Sequence, residues 1–343
     1  MRSCPLALPA CLGLILMLMP SAVHAQYKLT NLVSNQFGAA SHTDPLLVNA
    51  WGLVYGPGGP FWIADNKSGW STLYNGAGVA RTLQVVVPSE NGKGPGSPTG
   101  IVFNGSPDFM IQGWSTFFLF ATLDGTISGW APQANPNQAI IKVDNSKSGA
   151  VYTGLAITSN ASGNLLFAAD TANNKVDIYD GTFKLVNSFT DKTLPANFTP
   201  FGIQDISHVI YVAFADVTGG PGGFIDMYTE DGTFIKRLTG DTRLNQPWGM
   251  TAAPGNFGPF SNTLLVSNNT NNGHINAFDG ITGAFVGLMK DDAGKPITIN
   301  QLWGITFGGG SPNDGGTNQL FFTAGPDNNL AGTFGVINFN PDK

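Results

Sequence analysis

The sequence predicts an all-β protein, a six-bladed β-propeller with four antiparallel strands per blade, and three observations predict it. A short motif recurs six times: Trp51-Gly52-Leu53, Thr99-Gly100-Ile101, Thr153-Gly154-Leu155, Phe201-Gly202-Ile203, Trp248-Gly249-Met250 and Trp303-Gly304-Ile305. The motif glycines stand 47 to 55 residues apart, a period that suits a four-stranded blade better than a helical repeat. Between motifs, the apolar residues fall into short runs bounded by turn residues, as strands do.

The third copy displays the unit most completely. Leu155 to Ile157 reads as an innermost strand, Leu165 to Ala169 as a second, Val176 to Tyr179 as a third and Phe183 to Val186 as a fourth. One such sheet cannot bury both faces alone, so copies must stack. The second strands of the other copies, such as Phe61 to Ala64, Phe117 to Ala121 and Val209 to Phe214, are continuous apolar runs, as expected where both faces meet neighbouring blades. Asn75-Gly76, Asp180-Gly181, Asp231-Gly232 and Asp279-Gly280 fall between third and fourth strands, where type I′ turns are expected. Each motif glycine is expected at the crowded axis, where a missing side chain lets backbones approach.

The sixth copy stops after a third strand, Gly332 to Phe339, whereas Tyr27 to Val33 precedes the first motif and reads like a fourth strand. The N-terminal strand is therefore expected to complete the sixth blade and close the ring. Insertions at Ala131 to Ile140 and Gly308 to Gln319 lengthen connections without changing the count.

Residues 1–25 have the features of a cleaved signal peptide: Arg2, the apolar run Leu12 to Met19, Pro20, and small residues Val23-His24-Ala25 before Gln26. Both cysteines, Cys4 and Cys11, lie in this leader. The expected organisation is thus a leader over 1–25 and one propeller domain over 26–343, secreted or periplasmic and monomeric. Charged residues make up 11% of the chain, with a net charge of −6. That balance argues against nucleic acid or an anionic membrane surface as partner, because both need clustered Lys and Arg.

The run Gly154-Leu155, then Asn164-Leu165-Leu166-Phe167-Ala168-Ala169-Asp170, then Asn173-Asn174-Lys175-Val176-Asp177-Ile178-Tyr179-Asp180-Gly181, resembles NHL repeats. Essentially all of 26–343 is similar to a family of exported bacterial six-bladed NHL-like propellers of unknown function. Some members carry a C-terminal sorting tail. This chain ends at Asn340-Pro341-Asp342-Lys343, so the resemblance implies release.

Propeller geometry places the loops entering each blade and the loops between second and third strands on one rim, and the functional search centres there. Asp65, Asp170 and Asp216, with Asn268 in the fifth copy, follow second strands. They are the candidate ligands of a hard cation such as Ca²⁺; the alternative is that each caps its own turn. Trp51, Phe201, Trp248 and Trp303 share one repeat position, with Asn49, Asn245 and Asn300 a few residues earlier. They are candidates for a ligand-binding collar that stacks a sugar or aromatic group, or else for wedges between blades. His42 and Asp44, together with Asp170 and Asp216, are the candidate catalytic groups. His208 belongs to the opposite rim, and no nucleophile-elbow or zinc-protease motif occurs. Two readings stand. One is a secreted propeller binding a glycan, another small molecule or a protein at the channel rim. The other is a Ca²⁺-assisted hydrolase or lyase acting on a carbohydrate-like or lactone substrate.

Overall fold

The apolar runs pair as the repeat demands. The computed structural model describes Met1 and residues 26–340; the leader, with Cys4 and Cys11, lies outside the described residues. Blades 2 to 5 are four-stranded sheets whose innermost strands are Pro98–Phe103, Tyr152–Asn160, Phe198–Ile206 and Pro247–Ala252. Blade 1 starts at Ala50–Tyr55, and in blades 1 to 5 the strands run outward from the axis in chain order, so the architecture is the expected six-bladed propeller.

Closure occurs in blade 6. Gln26–Ser34 pairs antiparallel with Thr333–Asn340, from Gln26 opposite Asn340 to Ser34 opposite Thr333. The first strand of the chain therefore supplies the fourth strand of the last blade. Tyr27 locks it, donating from its hydroxyl to the Phe257 carbonyl at 2.6 Å and stacking on Phe260. A fifth strand, His42–Thr43, then adds in parallel outside Gln26–Ser34.

The sheets bury their faces against each other in six apolar clusters, one between each neighbouring pair of blades among the described residues. The second strands Phe61–Asp65 and Phe118–Thr122 are buried at every position, as a strand packed on both faces must be.

The motif glycines carry the ring contact. A Cβ built on Gly202 would lie 2.0 Å from the Trp248 carbonyl oxygen, one on Gly249 2.6 Å from that of Trp303, and one on Gly304 2.8 Å from that of Trp51. Each glycine thus accepts the backbone of the next blade, and Gly304 passes the contact back to blade 1.

The outer hairpins differ from expectation. Gly76, Gly181 and Gly280 do not adopt positive φ; Gly78, Phe183 and Gly283 do. These connections are not two-residue type I′ turns. The Asn75, Asp180 and Asp279 carboxamide or carboxylate oxygens instead accept amides two to four residues on, so the side chain closes a longer loop.

Candidate functional site

Along each innermost strand, successive motif residues form three layers around the axis: an aromatic or Thr layer toward the entering loops, the glycine layer, and an aliphatic layer beyond. The first layer is closed. Trp51 and Trp303 lie with ring centroids 3.7 Å apart, and Trp248 and Phe201 pack on both at 5.8 to 6.4 Å. Trp51 is only 5% exposed and Trp303 only 3%. The expected collar is therefore a plug, because rings converging on one axis fill the channel and meet one another. They are not wedges between blades either. Phe201 and Trp248 keep partly exposed faces.

Polar groups serve this plug. Buried Asn49 accepts from Trp303 Nε1 at 3.0 Å and donates to Asn66 at 3.1 Å. Trp248 Nε1 donates to the Thr153 carbonyl at 2.8 Å. Thr99 and Thr153, which replace the aromatic in blades 2 and 3, donate to the carbonyls of Tyr152 and Phe201 in the next blade. Asn245 does not share the position of Asn49. The structural equivalents of Asn49 are Gln246 and Gln301, all three with φ near 52° two residues before a Trp. Their carbonyls accept amides of Asn66, Asn269 and Gly325 in the second-to-third loops. Asn300, one residue off this register, is exposed beside a cleft of about 300 Å³ that also takes in Asn31 and Gln36.

The structure does not bring the candidate metal ligands together. Asp65 accepts from the Thr72 amide and hydroxyl at 3.1 and 2.7 Å. Asp170 accepts from the Val151 amide and the Asn173 side chain. Asp216 accepts from the Thr218 amide and hydroxyl, and these bonds hold its carboxyl below the usual range. Asn268 bonds the Asn245 amide and the Arg243 carbonyl. Each of the four finds its partners within its own blade, Asp65 Oδ1 is buried without a hydrogen-bond partner, and among the described residues no group of three His, Cys, Asp or Glu side chains converges. Burial pushes Asp65 well above the ordinary carboxyl range.

The catalytic candidates are also dispersed. His42 sits on the added strand at the outer edge of blade 6, at the radial end opposite the channel, because the chain runs up that edge before turning inward. Asp44 spends its carboxylate on the Leu46 amide and the Tyr74 hydroxyl.

The accessible part of the channel lies below the glycine layer and opens on the hairpin rim. A cavity of about 370 Å³ is walled by the later halves of the innermost strands, with Leu53, Ile101, Ile157, Met250 and Ile305 as its apolar surface. Its polar wall comes from blade 4, as Gln204, Asp205, Ser207 and His208. The two connecting residues Ser207 and His208 both have positive φ, 54° and 64°, as in a type I′ turn. Blades 1, 3 and 5 place glycines at positive φ in that connection, Gly58, Gly163 and Gly258. Holding non-glycine residues there costs about 1–2 kcal/mol each. Asp205 stabilises the turn by accepting from the His208 amide at 2.9 Å, and His208 Nδ1 meets Glu230 Oε1 at 2.9 Å. Sequence reasoning missed this wall because it searched the other rim; the readable signal was a two-residue connection without glycine.

No family model matches the chain. It is 31% identical over 339 residues to uncharacterized protein R648 of Acanthamoeba polyphaga mimivirus, an alignment covering 93% of this chain and 82% of that one. Uncharacterized protein L690 of the same virus is 29% identical over 341 residues, covering 93% and 87%. These relatives are viral, so the bacterial confinement that the resemblance implied does not hold. Virginiamycin B lyase from Staphylococcus aureus superposes with a TM-score of 0.56 at 14% identity, covering 91% of this chain and 99% of that one. A streptogramin B lyase gives 0.55 at 15%, covering 92% and 97%. At such identities the likeness carries the propeller fold alone.

Proposed function

The chain belongs to the family of uncharacterized protein R648 of Acanthamoeba polyphaga mimivirus, and on that premise we propose that this propeller is a secreted binding protein whose small-molecule ligand occupies the channel from the hairpin rim. One observation carries the reading: the channel is shut by Trp51 and Trp303 on the loop rim and open as a cavity of about 370 Å³ on the other. A concave site with apolar walls and a few convergent polar groups is the common form of a ligand pocket. This relocates the expected site while keeping the expected axis.

The alternative of a Ca²⁺-assisted hydrolase or lyase draws less support, since Asp65, Asp170, Asp216 and Asn268 are each bonded within their own blades. Secretion rests on the leader expected over 1–25.

Thr251, half-buried on the cavity wall, offers the test. Thr251→Trp fills the mouth from a position outside the core clusters. Compounds that raise the melting temperature of the unaltered protein are expected to lose that effect in the variant. Ligands that stabilise both proteins equally would place binding elsewhere and end this reading.

A further inference from the structure

The channel cavity is asymmetric in a way that sixfold architecture does not require. Five blades contribute Leu53, Ile101, Ile157, Met250 and Ile305, with Thr251 and Thr306 as the only hydroxyls, while blade 4 alone contributes Gln204, Asp205, Ser207 and His208. A ligand in this space meets apolar side chains from five blades and a charged and polar group of side chains from blade 4.

Resting on the binding function proposed above, we infer that the cavity selects a cation: an apolar amine whose ammonium group sits against Asp205. The charge balance points that way. No Lys or Arg lines the cavity; its ionisable groups are Asp205 and His208, and His208 is paired with Glu230. If the imidazole is neutral this lip carries two negative charges, and if it is protonated it carries a net one. An anionic ligand meets a lip of net negative charge in either state, a repulsion that solvent moderates because His208 and Gln204 are exposed.

The hydrogen-bonding inventory agrees. An ammonium donates and never accepts, so it needs a lip of free acceptors. Asp205 uses Oδ1 on the His208 amide, which leaves Oδ2 available. Gln204 donates through Nε2 to the Asp205 carbonyl at 3.3 Å, an orientation that leaves its amide oxygen available as well. Glu230 lies behind His208 and fixes the ring through Nδ1.

The lip is held in place before any ligand arrives. The Ser207-His208 turn directly follows the innermost strand Phe198–Ile206 and opens the second strand Val209–Asp216, and the Asp205 side chain caps it. The carboxylate that would meet the ligand is the one that stabilises the strained turn, so its position is set by the fold.

The test uses three probes of one shape, cyclohexylamine, cyclohexanol and cyclohexanecarboxylate, titrated calorimetrically into the full-length secreted protein. Cyclohexylamine is expected to bind at least about tenfold more tightly than the carboxylate, with cyclohexanol between them. Asp205→Asn can still cap the His208 amide through its side-chain oxygen, so the turn survives while the charge goes; in that variant most of the amine's advantage over the alcohol should be lost. Glu230→Gln provides a second charge removal with the ring still oriented, and a partial loss of the preference is expected. Equal or tighter binding of the carboxylate, or a preference unchanged in both variants, would overturn the inference while leaving the binding site standing. If none of the three binds and Thr251→Trp changes nothing, the site itself is wrong and both readings fall.

Discussion

Trp303 donates its indole N–H to the Asn49 side chain at 3.0 Å while its ring lies 3.7 Å from that of Trp51. One residue of the last blade is thereby fixed by two residues of the first, across the point where the ring closes. The plug is part of the closure as well as the stopper of the channel.

Trp303→Ala should therefore cost about 3–5 kcal/mol, the usual range for emptying a buried aromatic site. Chemical denaturation measures it. A loss under about 1 kcal/mol would mean that the plug contributes little to the ring.

The glycine layer makes a sharper contrast. Gly202→Ala drives a Cβ to 2.0 Å from the Trp248 carbonyl oxygen, whereas Gly280→Ala meets nothing within 4 Å. The first is expected to prevent folding or lower the melting temperature severely, since backbone on both sides has to shift. The second should stay within about 0.5 kcal/mol of the unaltered protein. Similar melting temperatures for the two variants would refute the close-approach account.

Closure through the N-terminal strand predicts two graded effects. Tyr27→Phe leaves the Phe257 carbonyl without its 2.6 Å donor and should cost about 1–3 kcal/mol. Deleting residues 26–34 exposes the whole edge of Thr333–Asn340 and should cause aggregation. A deleted protein that elutes as a stable monomer would show that the ring does not need this strand.

Stability should fall as pH rises from about 4 to about 7. Burial pushes the Asp226 carboxyl up to about 7 despite the pull of Arg237, which it shares with Asp191. The unfolded value is about 3.9, so within this window the folded protein holds a proton that the unfolded chain has released. Raising the pH then favours the unfolded chain. Asp65, also raised by burial, works in the same direction. Urea midpoints across the window should decline in the unaltered protein and decline less in Asp226→Asn; an identical slope in both would exonerate Asp226.

Calcium offers a further check. With Asp170 and Asp216 each capping their own loops, the double change Asp170→Ala with Asp216→Ala should lower stability and leave the response to Ca²⁺ untouched, that response being nil in both proteins. A shift approaching about 2.7 kcal/mol, as expected at a hundred times the dissociation constant, seen in the unaltered protein and lost in the variant, would restore the metal reading.

The repeat, its period, the apolar second strands and the missing last strand were all readable in the chain, because they depend on local alternation and on counting. The motif glycines were readable for the same reason: a residue without a side chain, repeated at one position, marks a close approach. Side-chain destinations were not. Whether Trp51 and Trp303 frame an opening or fill it depends on the radius at which six strands meet, and that distance is set by the glycine contacts between blades. Asp65, Asp170 and Asp216 looked alike by position, yet each found its partners within its own blade, which is nearer than any neighbouring blade. His42 stands one strand outside the edge that closes the ring, and His208 reaches the channel because blade 4 makes its hairpin from Ser207 and His208. The sequence by itself determined the ring, its six blades and the axis on which any site would lie. Which mouth of that axis is open was decided only by tertiary packing, since four aromatics that are remote in sequence exclude one another from solvent only when the blades bring them within contact distance.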